Sequence, residues 1–225
     1  MPTLPIPRVK ICCIQSVAEA QLAIKYGASA LGLVSAMPSG PGVISEERIA
    51  EIAAAAPPGV ATFLLTCQQD ADAIIAQQRH CRVNTLQLVD RLLAGTYKDL
   101  RNALPGIKIV QVVHVTGEES VAEVDNVAPH VDAILLDSGN PALKVKELGG
   151  TGRIHDWRLS RKIRECIGIP LYLAGGLKPE NVADAIRQVG PFGLDVCNGV
   201  RTDGKLDESK LAAFFNAIRA HTSLS

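Results

Sequence analysis

The sequence predicts a single-domain parallel (β/α)8 TIM barrel over residues 1–225, and three observations predict it. Apolar, β-branched runs alternate with longer segments of helical period, and they do so eight times. Eight units in 225 residues leave about 28 residues for each, enough for a strand, a crossover helix and two short turns. The first run leads into CCIQSVAEA, without the GxGxxG turn that an open dinucleotide-binding sheet would carry there.

In chain order the strand-like runs cover 8–14, 29–35, 59–66, 83–89, 107–115, 131–137, 169–174 and 193–197. The helical stretches between them cover 16–26, 45–56, 69–79, 91–103, 117–128, 157–167, 179–189 and 207–221. Strand followed by helix implies parallel pairing through right-handed crossovers. Helix starts are marked by Ser45 ahead of Glu47 and Arg48, by Thr116 ahead of Glu118 and Glu119, by Asp156 ahead of Trp157, and by Pro179 opening PENVADAI. Trp157 reads as a packing residue, and the charged stretches SRKIREC and DESK read as solvated faces. No linker rich in Ser, Pro or charge divides the chain.

Composition narrows the function classes. Lys and Arg number 23, as do Asp and Glu, so the formal charge is zero, and 47% of residues are apolar. That balance gives no footprint for nucleic acid or a membrane surface, and none for disorder. No apolar run approaches the roughly 20 residues of a membrane span. The start, MPTLPIPR, lacks the charged and apolar regions of a signal peptide, so the expected location is cytoplasmic. The six cysteines show no CxxC pattern or Cys/His cluster, which points to reduced thiols and to no metal site. A neutral small-molecule enzyme remains.

In a (β/α)8 barrel the chemistry lies at the C-terminal strand ends and in the loops that follow. Cys12 ends the first run, with Lys10 on the same face of the strand and Ile11 and Cys13 on the other. An inward Lys among apolar residues needs a partner. Asp195, on the strand adjacent in a closed barrel, is the candidate, with Cys197 on its face. Taken alone, Cys12 reads more readily as a small buried hydrophobe than as a functional thiol. Asp137 ends the sixth strand, where a carboxylate is out of place after DAILL; a loop-anchoring role is its bland alternative. The segment from Ser138 to His155 is long for a compact barrel, which favours a functional loop. It carries Gly149, Gly150, Thr151 and Gly152, expected as a substrate loop. Gly175 and Gly176 follow the seventh strand, Asn198 and Gly199 the eighth. Glycine turns there let backbone N–H groups approach an anion, so these four are the expected phosphate site. His114 reads as a structural histidine on the fifth strand.

These segments resemble the phosphoribosylanthranilate isomerase family nearly end to end. VKICCI, GASALGLV, LQL, LLDS, GGTGRIHDW, LAGGLKPENVADAI and GLDVCNGVRTDGKLDESKLAAFF carry the resemblance. It implies a cofactor-free Amadori rearrangement of an N-linked phosphoribosyl aldose to a ketose, a step of tryptophan biosynthesis. It implies Cys12 as general base and Asp137 as general acid, with Cys13 at a usual glycine position and turned away from the mouth. A small phosphorylated sugar is the implied substrate, and the protein is expected as a monomer or homodimer.

The sequence departs from the family's pattern on one side. Gly42 stands where the family carries an arginine for the anthranilate carboxylate, Val89 and Asp90 replace His-Gly, and Cys197 and Asn198 replace two serines. Two alternatives therefore stand beside the isomerase: a paralogue for a different phosphorylated sugar, and a non-catalytic phosphometabolite-binding barrel.

Overall fold

Strands buried on both faces are built mainly of apolar residues, and the strand runs supply them, with Lys10, Gln87, Gln111 and Asp195 among the buried polar exceptions. In the computed structural model, which describes residues 6–140, 142–143, 145–150 and 152–223, eight parallel strands close into one barrel in chain order. They are β1 (Arg8–Ile11), β2 (Ala30–Val34), β3 (Ala61–Thr66), β4 (Thr85–Leu88), β5 (Lys108–His114), β6 (Ala133–Asp137), β7 (Leu171–Leu173) and β8 (Gly193–Val196). The ring closes between β1 and β8, where Lys10 pairs in register with Asp195.

Eight helices surround the barrel: α1 (Val17–Tyr26), α2 (Glu46–Ala55), α3 (Ala71–Cys81), α4 (Tyr97–Ala103), α5 (Glu119–Val127), α6 (Trp157–Cys166), α7 (Val182–Val189) and α8 (Glu208–Ser223). Two cores result. Outward strand residues such as Ile11, Leu31, Leu64 and Leu136 pack under the helices, while Phe63, Leu65, Val112, Leu135 and Tyr172 fill the barrel interior. Trp157 packs half-buried against the outer core. A short ribbon, β9 (Arg201–Thr202) with β10 (Lys205–Leu206), follows β8. Among the described residues no helix is long and apolar enough to cross a membrane.

The helix starts hold in two places and fail in three. Ser45 accepts the Arg48 N–H and Asp156 accepts the Arg158 N–H, as side-chain caps should. Thr116 caps nothing: its N–H goes to Ser120 Oγ and its hydroxyl to Glu119, while α5 starts at Glu119 without a side-chain cap. Pro179 precedes α7 by three residues because Asn181 first ties the turn, accepting from Lys178 N–H and donating to Gly176 O. The stretch 91–96 is a loop, since Gly95 at φ +74 breaks the chain direction and Thr96 forms a capping box with Asp99.

Lys10 is fully buried, its ammonium 2.8 Å from Asp195 Oδ2. Removing one member of such a pair strands the other charge. Lys10→Met is expected to cost roughly 3–5 kcal/mol, and Lys10→Met with Asp195→Leu to recover most of it; urea unfolding midpoints of the three proteins check this.

Candidate active site

The C-terminal ends of the strands surround a cavity of about 280 Å³. Cys12 and Asp137 both line it, as do Gly149, Gly150, Gly152, Gly175, Gly176, Asn198 and Gly199. Nine of the ten residues expected from the sequence thus meet at one mouth. The tenth, Thr151, lies outside the described residues.

Cys12 sits just past β1, where its sulfur and the Lys10 ammonium share the space over Gly32. A Cβ built on Gly32 would meet Cys12 Sγ at 2.9 Å and Lys10 Nζ at 3.0 Å. The Cys12 thiol is held below the usual range, chiefly by a hydrogen bond from the Cys13 thiol; burial opposes this and Lys10 assists it. Burial disfavours the Lys10 charge, yet Asp195 and Cys12 keep it protonated well beyond the ordinary lysine range. For Asp195 burial wins, raising its carboxyl against the pull of Lys10. Its Oδ1 is buried without a hydrogen-bond partner.

Cys13 does not turn away. Because β1 ends at Ile11, the alternation of faces stops there, and Cys13 takes φ +63, a left-handed conformation. Its side chain swings into the mouth, 2.7 Å from Cys197 Sγ and 3.6 Å from Pro41 O. Hydrogen bonds with Cys12 and Cys197, together with burial, push the Cys13 thiol far up. The six cysteines are free.

One residue that no sequence pattern singles out holds this turn. Arg201, 6% exposed, donates from Nη2 to Cys12 O at 3.2 Å and to Cys13 O at 2.6 Å. Glu19 neutralises it at 3.1 Å. An arginine two residues past a glycine turn carries no sequence signal of such a contact.

Asp137 is buried at the end of β6, its Oδ1 accepting the Ser138 N–H at 2.7 Å. Gly149 covers the other oxygen so closely that a Cβ there would lie 2.6 Å from Oδ2. The loop after β6 is therefore the lid of the carboxylate. His155 stands behind it; burial lowers the imidazole below its usual value against the pull of Asp137 and Asp156. His114, in contrast, is a buried residue whose Nε2 sits 3.2 Å from Val89 O, lining a neighbouring cavity.

Across the mouth the loops after β7 and β8 interlock. A Cβ on Gly199 would fall 2.0 Å from Leu177 O, so only glycine fits. Asn198 Nδ2 donates to Gly150 O at 3.0 Å, tying the loop after β8 to the lid. Lys178 lines the same end. Among the described residues no group of three or more His, Cys, Asp or Glu side chains is arranged for a metal ion.

A family model described as N-(5'phosphoribosyl)anthranilate (PRA) isomerase matches residues 9–217. The chain is 36% identical to an N-(5'-phosphoribosyl)anthranilate isomerase of Haloferax volcanii, over 94% of this chain and 93% of that one. It is 32% identical to that of Methanosarcina acetivorans, over 94% and 93%. The crystal structure of the Thermotoga maritima phosphoribosyl anthranilate isomerase matches with a TM-score of 0.78 at 30% identity, over 95% of this chain and 99% of that one. A second, of a phosphoribosyl anthranilate isomerase in complex with reduced 1-(o-carboxyphenylamino)-1-deoxyribulose 5-phosphate, matches at 0.76 and 28%, with the same coverage. Barrel order, the residues that meet at its mouth and similarity over nearly the whole length agree: the chain belongs to the N-(5'-phosphoribosyl)anthranilate isomerase family.

Proposed function

We propose that this chain catalyses the Amadori rearrangement of N-(5'-phosphoribosyl)anthranilate to the corresponding 1-arylamino-1-deoxyribulose phosphate, without a cofactor. The observation that carries the reading is that a thiol of lowered pKa and a buried carboxyl, from opposite parts of the ring, line one small cavity.

In this reading the substrate phosphate takes backbone N–H groups around Gly175, Gly176, Asn198 and Gly199, with Lys178 alongside. Asp137 gives a proton to the furanose oxygen, the C1–O bond breaks, and the nitrogen lone pair forms the C1=N iminium. The Cys12 thiolate then takes the proton from C2, the C2–H electrons form the C1=C2 bond, and the C1=N π electrons return to nitrogen to give the enolamine. Protonation at C1 and loss of the hydroxyl proton at C2 leave the ketone, so atoms and electrons balance within one molecule. Gly149 lies close over Asp137 Oδ2. Phosphate binding remote from the reacting carbons contributes to orientation.

Loss of anthranilate fluorescence from freshly generated substrate measures the activity. Cys12→Ser and Asp137→Asn are each expected to lower kcat/KM roughly 10²–10⁴-fold; wild-type levels in both variants would refute the assignment of base and acid. A thiolate base is active above its pKa, so a lowered pKa moves the rising limb of the kcat/KM profile to lower pH. Wild type should therefore rise below the roughly 8.5 of a free thiol. Cys13→Gly removes the donor to Cys12 and suits the left-handed backbone there. It is expected to shift that limb toward higher pH, as measured by kcat/KM across pH 6–10.

A further inference from the structure

The sulfurs of Cys13 and Cys197, 184 residues apart in the chain, stand 2.7 Å apart at the mouth. Packed carbon atoms rest roughly 3.5–4.0 Å from one another, and a disulfide closes at about 2.05 Å. The backbone brings the pair together. Ile11 and Val196 are register partners, and the Cys12 N–H still donates to Val196 O at 2.8 Å, so both cysteines leave adjacent strands side by side. Neighbouring strands run about 4.8 Å apart, inside the roughly 4.4–6.8 Å that a disulfide spans between Cα atoms. Arg201 holds the Cys13 carbonyl at 2.6 Å, which fixes the turn that presents its thiol.

The other thiols point elsewhere. Cys12 Sγ and Lys10 Nζ share the space over Gly32, on β2, whereas Cys197 follows β8 on the opposite flank of β1. Cys67 donates to Ala36 O, Cys81 is fully buried and Cys166 is exposed on α6. Cys13 and Cys197 both line the cavity, but Cys13 is buried and Cys197 half-buried. A reagent entering by the mouth therefore meets Cys197 first.

We propose that Cys13 and Cys197 are a thiol–disulfide modification site, closed across the mouth by low-molecular-weight disulfides and reopened by dithiols. The Cys197 thiolate attacks one sulfur of the reagent, whose S–S bond breaks and whose other half leaves as a thiolate. Cys13 gives its proton to that thiolate and attacks Cys197 Sγ. The S–S bond of the mixed disulfide breaks, and the second thiolate leaves to take the proton that Cys197 released on ionising. Two protein thiols are oxidised and one reagent disulfide is reduced to two thiols.

Closure acts on the neighbouring thiol. A disulfide sulfur has no hydrogen to donate, so the Cys12 thiolate loses the hydrogen bond from Cys13 that chiefly holds its pKa down. Lys10 still favours the thiolate, while burial and Asp195 oppose it. Oxidation therefore raises the Cys12 pKa. The link itself stands apart from the acid–base reading above; only its effect on turnover rests on that reading.

A Cys67→Ser/Cys166→Ser protein, which lacks the other two accessible thiols, is incubated with oxidised glutathione and weighed intact by mass spectrometry. A product lighter by two hydrogens, free of bound glutathione and restored by dithiothreitol, is expected. Cys12→Ser in this background should still close, whereas Cys13→Gly should stop at a glutathione adduct on Cys197 and Cys197→Ser should not close. An unchanged mass, glutathione adducts alone, or closure that survives Cys13→Gly would overturn the assignment. The effect on Cys12 is read from its alkylation by iodoacetamide across pH 6–10, located by peptide fragmentation. The pH of half-maximal alkylation is expected to rise on oxidation, and kcat/KM at pH 7 to fall roughly tenfold and return on reduction. Coincident alkylation profiles would overturn the coupling to Cys12. A shifted profile with kcat/KM unchanged, or with no turnover by either form, would instead retire the acid–base reading and leave the modification site standing.

Discussion

The buried ion pair between Lys10 and Asp195 is the constraint on which the rest of the mouth depends. It joins the first strand to the last in register, so the residues that close the ring are also its interior charges. An ammonium inside a barrel of Leu, Val and Phe side chains is tolerable only with a partner in good geometry. The Phe63 ring face, 5.4 Å from the nitrogen, adds a second, weaker attraction. Gly32 then lets the Cys12 sulfur into the same small volume. Closure of the barrel and the environment of the proposed base are one arrangement: Asp195 holds the lysine as a cation, and that cation favours the Cys12 thiolate while the Asp195 carboxylate opposes it.

Above that pair the chain makes a turn that costs something. A non-glycine residue at positive φ is disfavoured by about 1–2 kcal/mol, and Cys13 occupies such a conformation. Charge-assisted hydrogen bonds offset the cost: Arg201 grips both carbonyls of the turn, and Glu19 completes the network by also accepting from the N–H groups of Gln15 and Leu206. The return is a row of sulfurs, Cys197 to Cys13 to Cys12, in which each thiol can donate to the next. A glycine at position 13 would relax the backbone and leave the Cys12 sulfur one donor short.

The barrel itself was legible because its periodicity is simple. Eight buried runs, eight crossovers and chemistry at strand ends follow from hydrophobic pattern and chain direction alone, and the partner of Lys10 followed from the adjacency of first and last strands. Cys13 was not legible, because alternation of faces holds only while the strand lasts, and β1 stops at Ile11. Arg201 was invisible for another reason. Its acceptors are main-chain oxygens some 190 residues away, and a carbonyl has no sequence identity. The late start of α4 and the failure of Thr116 to cap α5 share a cause: turn chemistry at Gly95 and Ser120 competed with helix propensity and won. Gly42 was recognisable as a departure, but only coordinates reveal that Cys13 stands in its way.

The two ends of the mouth also explain why the acid and the base need not be close in sequence or alike in surroundings. A ring of eight strands sets β7 and β8 across from β3 and β4, so the glycine turns face Leu65 and Val89 across the cavity, with β1 on one side and β6 on the other. In the proposed reading a ligand whose phosphate takes the glycine turns would set its reacting carbons between the two flanking strands. Cys12 directly follows β1 and Asp137 ends β6. The thiol rests in a cluster of sulfurs over a lysine, and the carboxyl lies against Gly149 at the end of β6. In the proposed reading the two roles fall to groups in unlike surroundings, and the phosphate would be held by groups that take no part in the bond changes.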